Sequence, residues 1–311
     1  MPKLLILSDR AEQYENLIRA AKLPNLEIFA FTNADVKAKI ANQCEIVLGY
    51  PSLIRDLLPS LAKLRWVQTL SAGVELLLLP SLRRDYVLTN ARGVFGELMA
   101  EYVFGYLLFH ERQIFKHHQL QGKKRWDGSD TGSLRDKTIG LLGVGSIGAH
   151  VAKTAKHFGM IVHGYTRSSQ SSPDVDVYHH DDLIEFARGV DYLVNIFPNT
   201  PETQKLLDTS VFDALPKTAI FINVGRGSAV DEKALQVALE QEKIAGAVLD
   251  VFDKEPLPKE HPFWTTPNLW ITFHTAAPSL PKDISQVFIE NYHRYIKDEA
   301  LNYQVDFERG Y

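Results

Sequence analysis

The chain has 311 residues, 45% of them hydrophobic, with one cysteine and a formal net charge of −4. That length accommodates two domains of ordinary size, and the charge provides no general attraction to nucleic acid. The lone cysteine, Cys44, excludes an internal disulfide framework and is typical of a cytoplasmic protein, and no apolar run is long enough to span a membrane.

Strands and helices alternate over residues 1–90. Apolar runs predict strands at residues 3–8, 27–31, 45–48, 66–70 and 87–89. This alternation predicts a parallel sheet covered on both faces. Ligands of such sheets bind beyond the carboxyl ends of the strands. The loops Ser71–Val74 and Asn90–Gly93 follow predicted strands, so they either face a substrate or are ordinary glycine turns.

A long helix is predicted from Glu97 to Lys116. Residues 98–109 are apolar almost all round, so more than one face should be buried. Either a subunit interface or a doubly covered position in the core satisfies this pattern. The basic run at 123–125 is short, which favours a solvated loop over a nucleic-acid site.

The stretch Lys137–Gly148, KTIGLLGVGSIG, contains the pattern G-x-G-x-x-G. An apolar strand, Thr138–Leu142, precedes the glycines, and a helical pattern and a second strand, Met160–Tyr165, follow them. Because the motif lies in this strand–turn–helix–strand context, the stretch predicts a dinucleotide-binding site.

Each glycine of the motif has its own physical task. Gly143 makes the tight turn, Gly145 allows a pyrophosphate to approach the backbone, and Gly148 allows the helix to pack on the strand. The N–H groups near Ser146 and Ile147, at the start of the helix, are predicted to face the anion.

The alternation resumes after this motif. Further strands are predicted at residues 191–197, 218–224, 244–249 and 269–273, and the final helix, 282–297, has no strand after it. We therefore predict two doubly wound parallel-sheet α/β domains. The substrate-binding domain comprises residues 1–97 plus 282–311, and the dinucleotide-binding domain comprises residues 98–281.

The end of the second strand of the motif distinguishes the two nicotinamide dinucleotides. NAD-binding proteins place an acidic residue about 20 residues beyond the glycines, where it holds the ribose 2′-hydroxyl. Here the strand ends in Thr166, Arg167 and Ser168, and the acid is missing. A guanidinium pairs with a 2′-phosphate and the hydroxyls donate to it. The sequence favours NADP(H), with NAD(H) as the alternative.

Three later loops, each after a predicted strand, carry candidate catalytic groups. Arg226 lies between two glycines, Glu255 lies in DVFDKEP, and His274 lies in TFHTAA. An arginine fork binds anions, and an imidazole exchanges protons near neutral pH. Taken singly, each has a structural interpretation, namely a turn arginine, a solvated acid and a core histidine. Their order and placement together favour catalysis.

The chain resembles the D-isomer-specific 2-hydroxyacid dehydrogenase family over nearly its whole length. The resemblance is carried by Ser71–Val74, Thr89–Asn90, Glu101, Gly143–Gly148, Pro198–Thr203, Phe221–Gly227, Leu249–Pro256 and His274–Ala276. It implies a flavodoxin-like substrate domain, a Rossmann cofactor domain and a homodimer built on the cofactor domains.

The resemblance also implies roles for individual residues. Arg226 would bind the substrate carboxylate and the 2-keto oxygen, His274 would be the general acid/base, and Glu255 its partner. The backbone N–H groups of Ala72 and Gly73 would bind the carboxylate. The positions that would contact the cofactor, besides the glycine turn and His274, are Pro198, Thr203, Val224 and Asp250.

Because it lacks this acidic residue, the chain resembles the NADPH-using glyoxylate/hydroxypyruvate reductase branch of the family. The implied function is reduction of a small 2-oxo acid to the D-2-hydroxy acid, with no metal. The alternatives are a bulkier 2-oxo acid with NAD(H), a nucleotide-sensing scaffold that binds protein partners, and a phosphite- or formate-type dehydrogenase. The run His179–Asp182 precedes an apolar helical stretch, so its aspartates suit a helix start better than a metal site.

Overall fold

The computed structural model describes residues 1–33, 36, 38–166 and 172–310, with Ala38 described by its backbone alone. The strands in this part of the chain are β1 (Lys3–Leu7), β2 (Glu27–Phe31), β3 (Ile46–Gly49), β4 (Trp66–Thr69), β5 (Val87–Thr89), β6 (Thr138–Leu142), β7 (Ile161–Tyr165), β8 (Val177–His179), β9 (Tyr192–Asn195), β10 (Ile220–Asn223), β11 (Gly246–Leu249) and β12 (Leu269–Ile271). The α-helices are α1 (Ala11–Ala20), α2 (Ala38–Ala41), α3 (Pro51–Leu57), α4 (Gly96–Glu111), α5 (Ile114–Gly122), α6 (Ser146–His157), α7 (Leu183–Arg188), α8 (Thr209–Ala214), α9 (Glu232–Glu240) and α10 (Pro281–Tyr295).

The chain folds into two compact units. The first unit consists of Met1–Val94 and Ser279–Tyr311, and the second unit consists of Phe95–Pro278. The sequence-based division has its two boundaries after residues 97 and 281. The last helix, α10, belongs with the N-terminal segment, so the first unit is discontinuous.

The first unit contains a five-stranded parallel sheet with the order β2-β1-β3-β4-β5. This is the flavodoxin-like order. A buried polar network ties α10 to the sheet, because Asn291 donates to Gln68 at 3.2 Å and Gln68 accepts from Thr89 at 2.8 Å. Phe288 of the same helix stacks on Trp66 of β4.

The second unit contains a seven-stranded parallel sheet with the order β12-β11-β10-β9-β6-β7-β8. Counted from β6, its strands follow the order 3-2-1-4-5-6 of the Rossmann fold, extended by β12. The order reverses between β6 and β9, and ligands of such sheets bind at that reversal. The two predicted doubly wound sheets are therefore confirmed.

Both faces of the second sheet are covered. Ile139 and Leu141 of β6 belong to one apolar cluster, and Leu142 of the same strand belongs to the cluster on the other face. The same alternation places Phe221 and Ile222 of β10 in opposite clusters. Strands buried on both faces read as continuous apolar runs, which is why these strands were legible in the sequence.

The single helix predicted from Glu97 to Lys116 is wrong in its extent. Helix α4 ends at Glu111, Gln113 adopts a left-handed conformation with φ of 48°, and α5 begins at Ile114. Helix α4 buries one side against α6 through residues such as Val103 and Leu107. No glycine or proline lies at the break, so no local signal in the sequence marks it. None of the α-helices in the described residues has the length and apolar character needed to cross a bilayer.

Candidate active site

The three predicted catalytic loops leave neighbouring strands of the second unit. β10, β11 and β12 are adjacent and parallel, so their carboxyl ends lie along one edge of the sheet. Arg226 follows β10, Glu255 follows β11 and His274 follows β12. Residues far apart in the sequence are thereby brought to the same edge.

The loop that carries Arg226 is held tightly on both sides. A Cβ at Gly225 would lie 2.8 Å from the carbonyl oxygen of Phe197, and a Cβ at Gly227 would lie 1.8 Å from the carbonyl carbon of Phe252. Neither contact is sterically allowed, so both positions require glycine. Arg226 itself is half-buried, and its guanidinium donates to the carbonyl oxygen of Gly225 at 2.8 Å.

Two buried asparagines support this loop. Asn195 and Asn223 occupy paired positions on β9 and β10, and Asn195 Nδ2 donates to Asn223 Oδ1 at 2.9 Å. Asn223 in turn donates to the carbonyl oxygen of Arg226 at 3.1 Å and accepts from the N–H of Gly225 at 3.2 Å. Neither asparagine was predicted from the sequence to support the loop. The available signal was one amide residue at the end of each of two otherwise apolar strands.

His274 and Glu255 form a hydrogen-bonded pair. His274 Nδ1 lies 2.8 Å from Glu255 Oε2, and Glu255 Oε1 accepts from the N–H of Phe252 at 2.9 Å. The His274 side chain is 56% exposed, so its other ring nitrogen remains accessible. Its backbone is left-handed, with φ of 56°. A left-handed histidine is uncommon and requires support from its surroundings.

The pair shifts the pKa of both partners. The hydrogen bond to Glu255 raises the pKa of His274 above its ordinary value of 6.5, outweighing the lowering effect of burial. Burial is the largest single effect on the pKa of Glu255 and raises it. The hydrogen bonds from His274 and Phe252, together with the positive charges of His274 and Arg226, outweigh that effect, and the pKa falls below 4.5.

Arg226 belongs to the same electrostatic environment. Its positive charge lowers the pKa of both Glu255 and His274. The structure thus brings together all three residues that the sequence predicted to be catalytic. A protonated imidazole held by a carboxylate, beside a guanidinium, can bind an anion and deliver a proton.

Replacing Glu255 with glutamine is expected to lower the pKa of His274, because the variant loses the carboxylate that stabilises the imidazolium. NMR titration of the imidazole resonance measures this shift.

The raised pKa of His274 contributes stability that is complete below pH 6.5 and is lost as the pH rises through the raised value. The lowered pKa of Glu255 contributes stability above pH 4.5 that is lost as the pH falls through the lowered value.

The free energy of unfolding of the wild type should therefore exceed that of Glu255→Gln by the largest amount between pH 4.5 and 6.5. This difference in free energy should become smaller at higher pH. Urea unfolding across this range checks the sign. Glu232→Gln is the matched control, because it also removes a carboxylate from beside a histidine, in this case His261 at 3.2 Å. This control should leave the titration of His274 unchanged. An unchanged His274 titration in Glu255→Gln would contradict the expectation.

The glycine turn has the geometry that a dinucleotide requires. Gly143 has φ of 100°, a conformation that side chains rarely permit. A Cβ at Gly148 would lie 2.3 Å from the carbonyl oxygen of Gly143, so glycine is needed for α6 to pack against the turn. A Cβ at Gly145 would meet nothing within 4 Å, so this glycine borders open space.

The start of α6 supplies the donors for an anion. Among the described residues, the N–H groups of Ser146, Ile147 and Gly148 have no hydrogen-bond acceptor. They begin a helix of 12 residues, whose dipole also favours negative charge at this end. The open space at Gly145 and these free N–H groups fit a pyrophosphate.

The remaining predicted cofactor positions follow strands β7, β9, β10 and β11 of the same sheet. Thr166 follows β7, and its carbonyl oxygen lies 2.5 Å from His180 Nδ1. Arg167 and Ser168 lie outside the described residues. Pro198 is exposed, whereas Thr203 and Val224 are buried. The Thr203 hydroxyl donates to the carbonyl oxygen of Pro198 at 2.8 Å and so shapes the loop after β9.

Asp250 is 3% exposed, and both of its carboxylate oxygens are engaged within the second unit. Oδ1 accepts from Thr272 and from the N–H of Thr275, and Oδ2 accepts from the N–H of Ala276. These contacts fix the loop that carries His274. The family resemblance implies that Asp250 contacts the cofactor, which stays a prediction, and nothing in the sequence indicated this supporting contact.

The predicted substrate loop lies in the first unit. Its carbonyl groups are held by side chains, since Thr69 donates to the Ser71 oxygen at 2.8 Å, Asn90 to the Ala72 oxygen at 2.9 Å, and Ser71 to the Gly73 oxygen at 2.8 Å. In the described structure the N–H groups of Ala72 and Gly73 have no acceptor. This arrangement is consistent with the predicted role of these groups in binding a carboxylate.

Comparison with known proteins decides the family. Residues 104–276 match the family model described as D-isomer specific 2-hydroxyacid dehydrogenase, NAD binding domain. The chain belongs to the D-isomer-specific 2-hydroxyacid dehydrogenase family. The predicted family is confirmed. The matched segment of this D-2-hydroxyacid dehydrogenase includes the glycine turn, Arg226, Glu255 and His274.

Relatives cover this dehydrogenase almost completely. A glyoxylate/hydroxypyruvate reductase A from Photorhabdus laumondii is 33% identical over 298 residues, which are 93% of each chain. A family protein from Aeromonas salmonicida has a structure with a TM-score of 0.94 and 41% identity, covering 98% of this chain and 99% of that one. The NADPH-dependent glyoxylate/hydroxypyruvate reductase from Sinorhizobium meliloti, in complex with NADP and sulfate, has a TM-score of 0.89 and 26% identity over the full length of both chains.

The histidine-rich run of the dehydrogenase has structural partners. Asp182 caps α7 by accepting from the N–H of Glu185 at 2.9 Å, which confirms the predicted helix start. His179 belongs to β8, a strand that the sequence did not reveal. The described residues contain no group of three or more His, Cys, Asp or Glu side chains that could hold a metal ion.

Proposed function

We propose that this D-2-hydroxyacid dehydrogenase reduces a small 2-oxo acid of the glyoxylate or hydroxypyruvate kind to the D-2-hydroxy acid, with NADPH as the reductant. The observation that carries the proposal is the His274–Glu255 pair, 2.8 Å apart, in the field of Arg226 at the same sheet edge as the glycine turn. The names of the relatives from Photorhabdus laumondii and Sinorhizobium meliloti support the substrate and the cofactor.

The site residues divide the work of a carbonyl reduction. When bound, NADPH supplies a hydride. Arg226 binds the anionic substrate and stabilises the keto oxygen as negative charge develops there. His274, with Nδ1 held by Glu255, donates the proton on Nε2 to that oxygen. The family resemblance assigns to the N–H groups of Ala72 and Gly73 the role of orienting the carboxylate.

The proposed cofactor preference depends on the end of β7. Thr166 occupies the position where an acid would repel a 2′-phosphate, and it carries no charge. Arg167 and Ser168 follow it in the sequence, and a guanidinium contact to a phosphate is charge-assisted. The N–H groups at the start of α6, near Ser146 and Ile147, would hold the pyrophosphate.

Purified protein should reduce glyoxylate and hydroxypyruvate with a kcat/KM at least about 10-fold higher for NADPH than for NADH, because one charge-assisted hydrogen bond contributes about 1.5–3 kcal/mol. A panel of about a dozen 2-oxo acids with each reduced cofactor measures this. Arg167→Ala should lower the NADPH value and leave the NADH value unchanged. A clear NADH preference in the wild type would overturn the cofactor assignment.

The same panel distinguishes the alternatives. A preference for bulky 2-oxo acids would move the substrate class, and cofactor binding without turnover on any 2-oxo acid would favour a nucleotide-sensing scaffold. The intact Arg226, Glu255 and His274 speak against a scaffold, since sensing a nucleotide requires no acid/base pair.

The family resemblance also supports a homodimer built on the cofactor domains, and the single cysteine supports a cytoplasmic location. Helix α5 of the second unit has no buried residue, and Ile114 and Phe115 are each about half exposed. Cys44, the only cysteine, is buried, and burial raises its pKa to about 11. A monomer in sedimentation equilibrium, or recovery outside the cytoplasmic fraction of cells, would contradict these assignments.

A further inference from the structure

The loop that carries His274 is attached to Asp250 at four points. The carboxylate accepts from the Thr272 hydroxyl at 2.5 Å, from the Thr275 N–H at 2.8 Å and from the Ala276 N–H at 3.0 Å. The carbonyl oxygen of Asp250 accepts from the N–H of His274 at 2.7 Å. Loop 272–276 is therefore held mainly by one buried residue, with one further bond from the N–H of Thr272 to the carbonyl oxygen of Leu249 at 2.9 Å.

His274 depends on this attachment. Its left-handed backbone is disfavoured for a residue with a side chain, so the loop would relax to another conformation without outside contacts. The conformation turns Nδ1 toward Glu255. Whatever holds Asp250 in place therefore also holds the hydrogen bond between His274 and Glu255.

A second residue, Tyr102 of α4, holds Asp250 through Thr272. The Tyr102 hydroxyl lies 2.7 Å from Thr272 Oγ1. Thr272 has a single hydroxyl proton, and it donates that proton to Asp250. Tyr102 must therefore be the donor to Thr272. Burial raises the pKa of Tyr102 far above its usual range, so the phenol keeps the proton that it donates.

We propose that Tyr102 and Thr272 are positioning residues for the acid/base: the chain Tyr102–Thr272–Asp250 holds loop 272–276 in the conformation that keeps His274 on Glu255. The proposal rests on the proposed reductase function, in which His274 supplies the proton. It assigns a role in catalysis to α4, whose residues touch none of the three catalytic side chains in the hydrogen bonds of the described structure.

The first test measures His274 directly in the cofactor-free protein, without relying on activity. Thr272→Val keeps the shape of the side chain and removes the hydroxyl, and Thr272→Ser restores it. Of the charged groups near His274, Glu255 and Asp250 raise its pKa and Arg226 lowers it. Thr272→Val should loosen loop 272–276 and weaken the hydrogen bond between His274 and Glu255, so the imidazole pKa measured by NMR should fall. Thr272→Ser should return that pKa toward the wild-type value. The signal is assigned by its absence in His274→Ala.

The second test measures turnover. Thr272→Val should lower kcat by about 10- to 100-fold, because displacements of about 1 Å have effects of that size. Tyr102→Phe should lower it by about 2- to 10-fold, the effect of one hydrogen bond. Because Tyr102 acts through Thr272, the double variant should match Thr272→Val alone. Tyr192→Phe is the control, since it removes a buried phenol bonded to Glu111 in the same unit.

The outcomes separate the proposal from its premise. A full additional effect of Tyr102→Phe in the Thr272→Val background, or an unshifted His274 titration in Thr272→Val, would overturn the positioning role. Failure of the wild type on every 2-oxo acid would overturn the reductase function, and the NMR titration would still test the chain of contacts. Equal losses in Tyr192→Phe and Tyr102→Phe would reduce the effect to general stability and also overturn the proposal.

Discussion

Replacing His274 with alanine is expected to lower kcat for hydroxypyruvate reduction by about 10²- to 10⁴-fold, the usual contribution of a positioned general acid. The variant loses the group that donates a proton to the keto oxygen, whereas the glycine turn, on other strands of the same sheet, keeps its structure. Steady-state kinetics with saturating NADPH measure the loss. Fluorescence titration with NADPH should show that the cofactor still binds.

His261→Ala is the matched control for this experiment. His261 also faces a glutamate, with Nε2 3.2 Å from Glu232, and its Nδ1 accepts from the N–H of Phe263 at 3.3 Å, so its ring bonds none of the three catalytic side chains. Its replacement is expected to lower the melting temperature and leave kcat close to that of the wild type. Near-wild-type turnover in His274→Ala would remove His274 from the mechanism.

Replacing Arg226 with alanine should reduce kcat by about 10²- to 10³-fold, as expected for loss of a group that stabilises developing negative charge. The KM for the 2-oxo acid should rise as well, because a charge-assisted contact to the carboxylate is lost. Arg226→Lys keeps the charge but not the planar fork, so it should recover only part of both effects. Separate determination of kcat and KM distinguishes the two roles.

Arg188→Ala provides the control, since Arg188 is an exposed residue paired with Glu185 on α7 of the same unit. A rise in KM with no change in kcat for Arg226→Ala would show that Arg226 binds the ground state and the transition state equally. In that case the proposed stabilisation of the keto oxygen would be wrong, and carboxylate binding alone would remain.

Much of the second unit could be predicted from the sequence, because its strands are buried on both faces and so form continuous apolar runs. The apolar runs around Leu141 and Phe221 have that character, and the glycines at 143, 145 and 148 specify the turn between strand and helix. Arg226, Glu255 and His274 were identified from their position after such strands and from the family resemblance. The structure places them at one sheet edge.

The supporting contacts could not be predicted in this way. Thr272 reaches Asp250 only because β11 and β12 pair in a register that places Leu249 against Ile271. The contact from Tyr102 requires, in addition, the packing of α4 in the second unit. Register and helix packing are long-range properties, whereas composition and periodicity report local ones. The break at Gln113 was missed because neither glycine nor proline marks it.

The glycines beside Arg226 restrict how this protein can be re-engineered. A methyl group at position 227 would overlap the backbone of Phe252, and one at 225 would crowd the backbone of Phe197. Libraries that randomise positions 225 and 227 would consist mainly of misfolded variants. The orientation of the Arg226 side chain therefore cannot be changed by substituting the residue on either side of it. Altered substrate range is more accessible through residues whose side chains already border open space, and directed evolution of this scaffold should begin there.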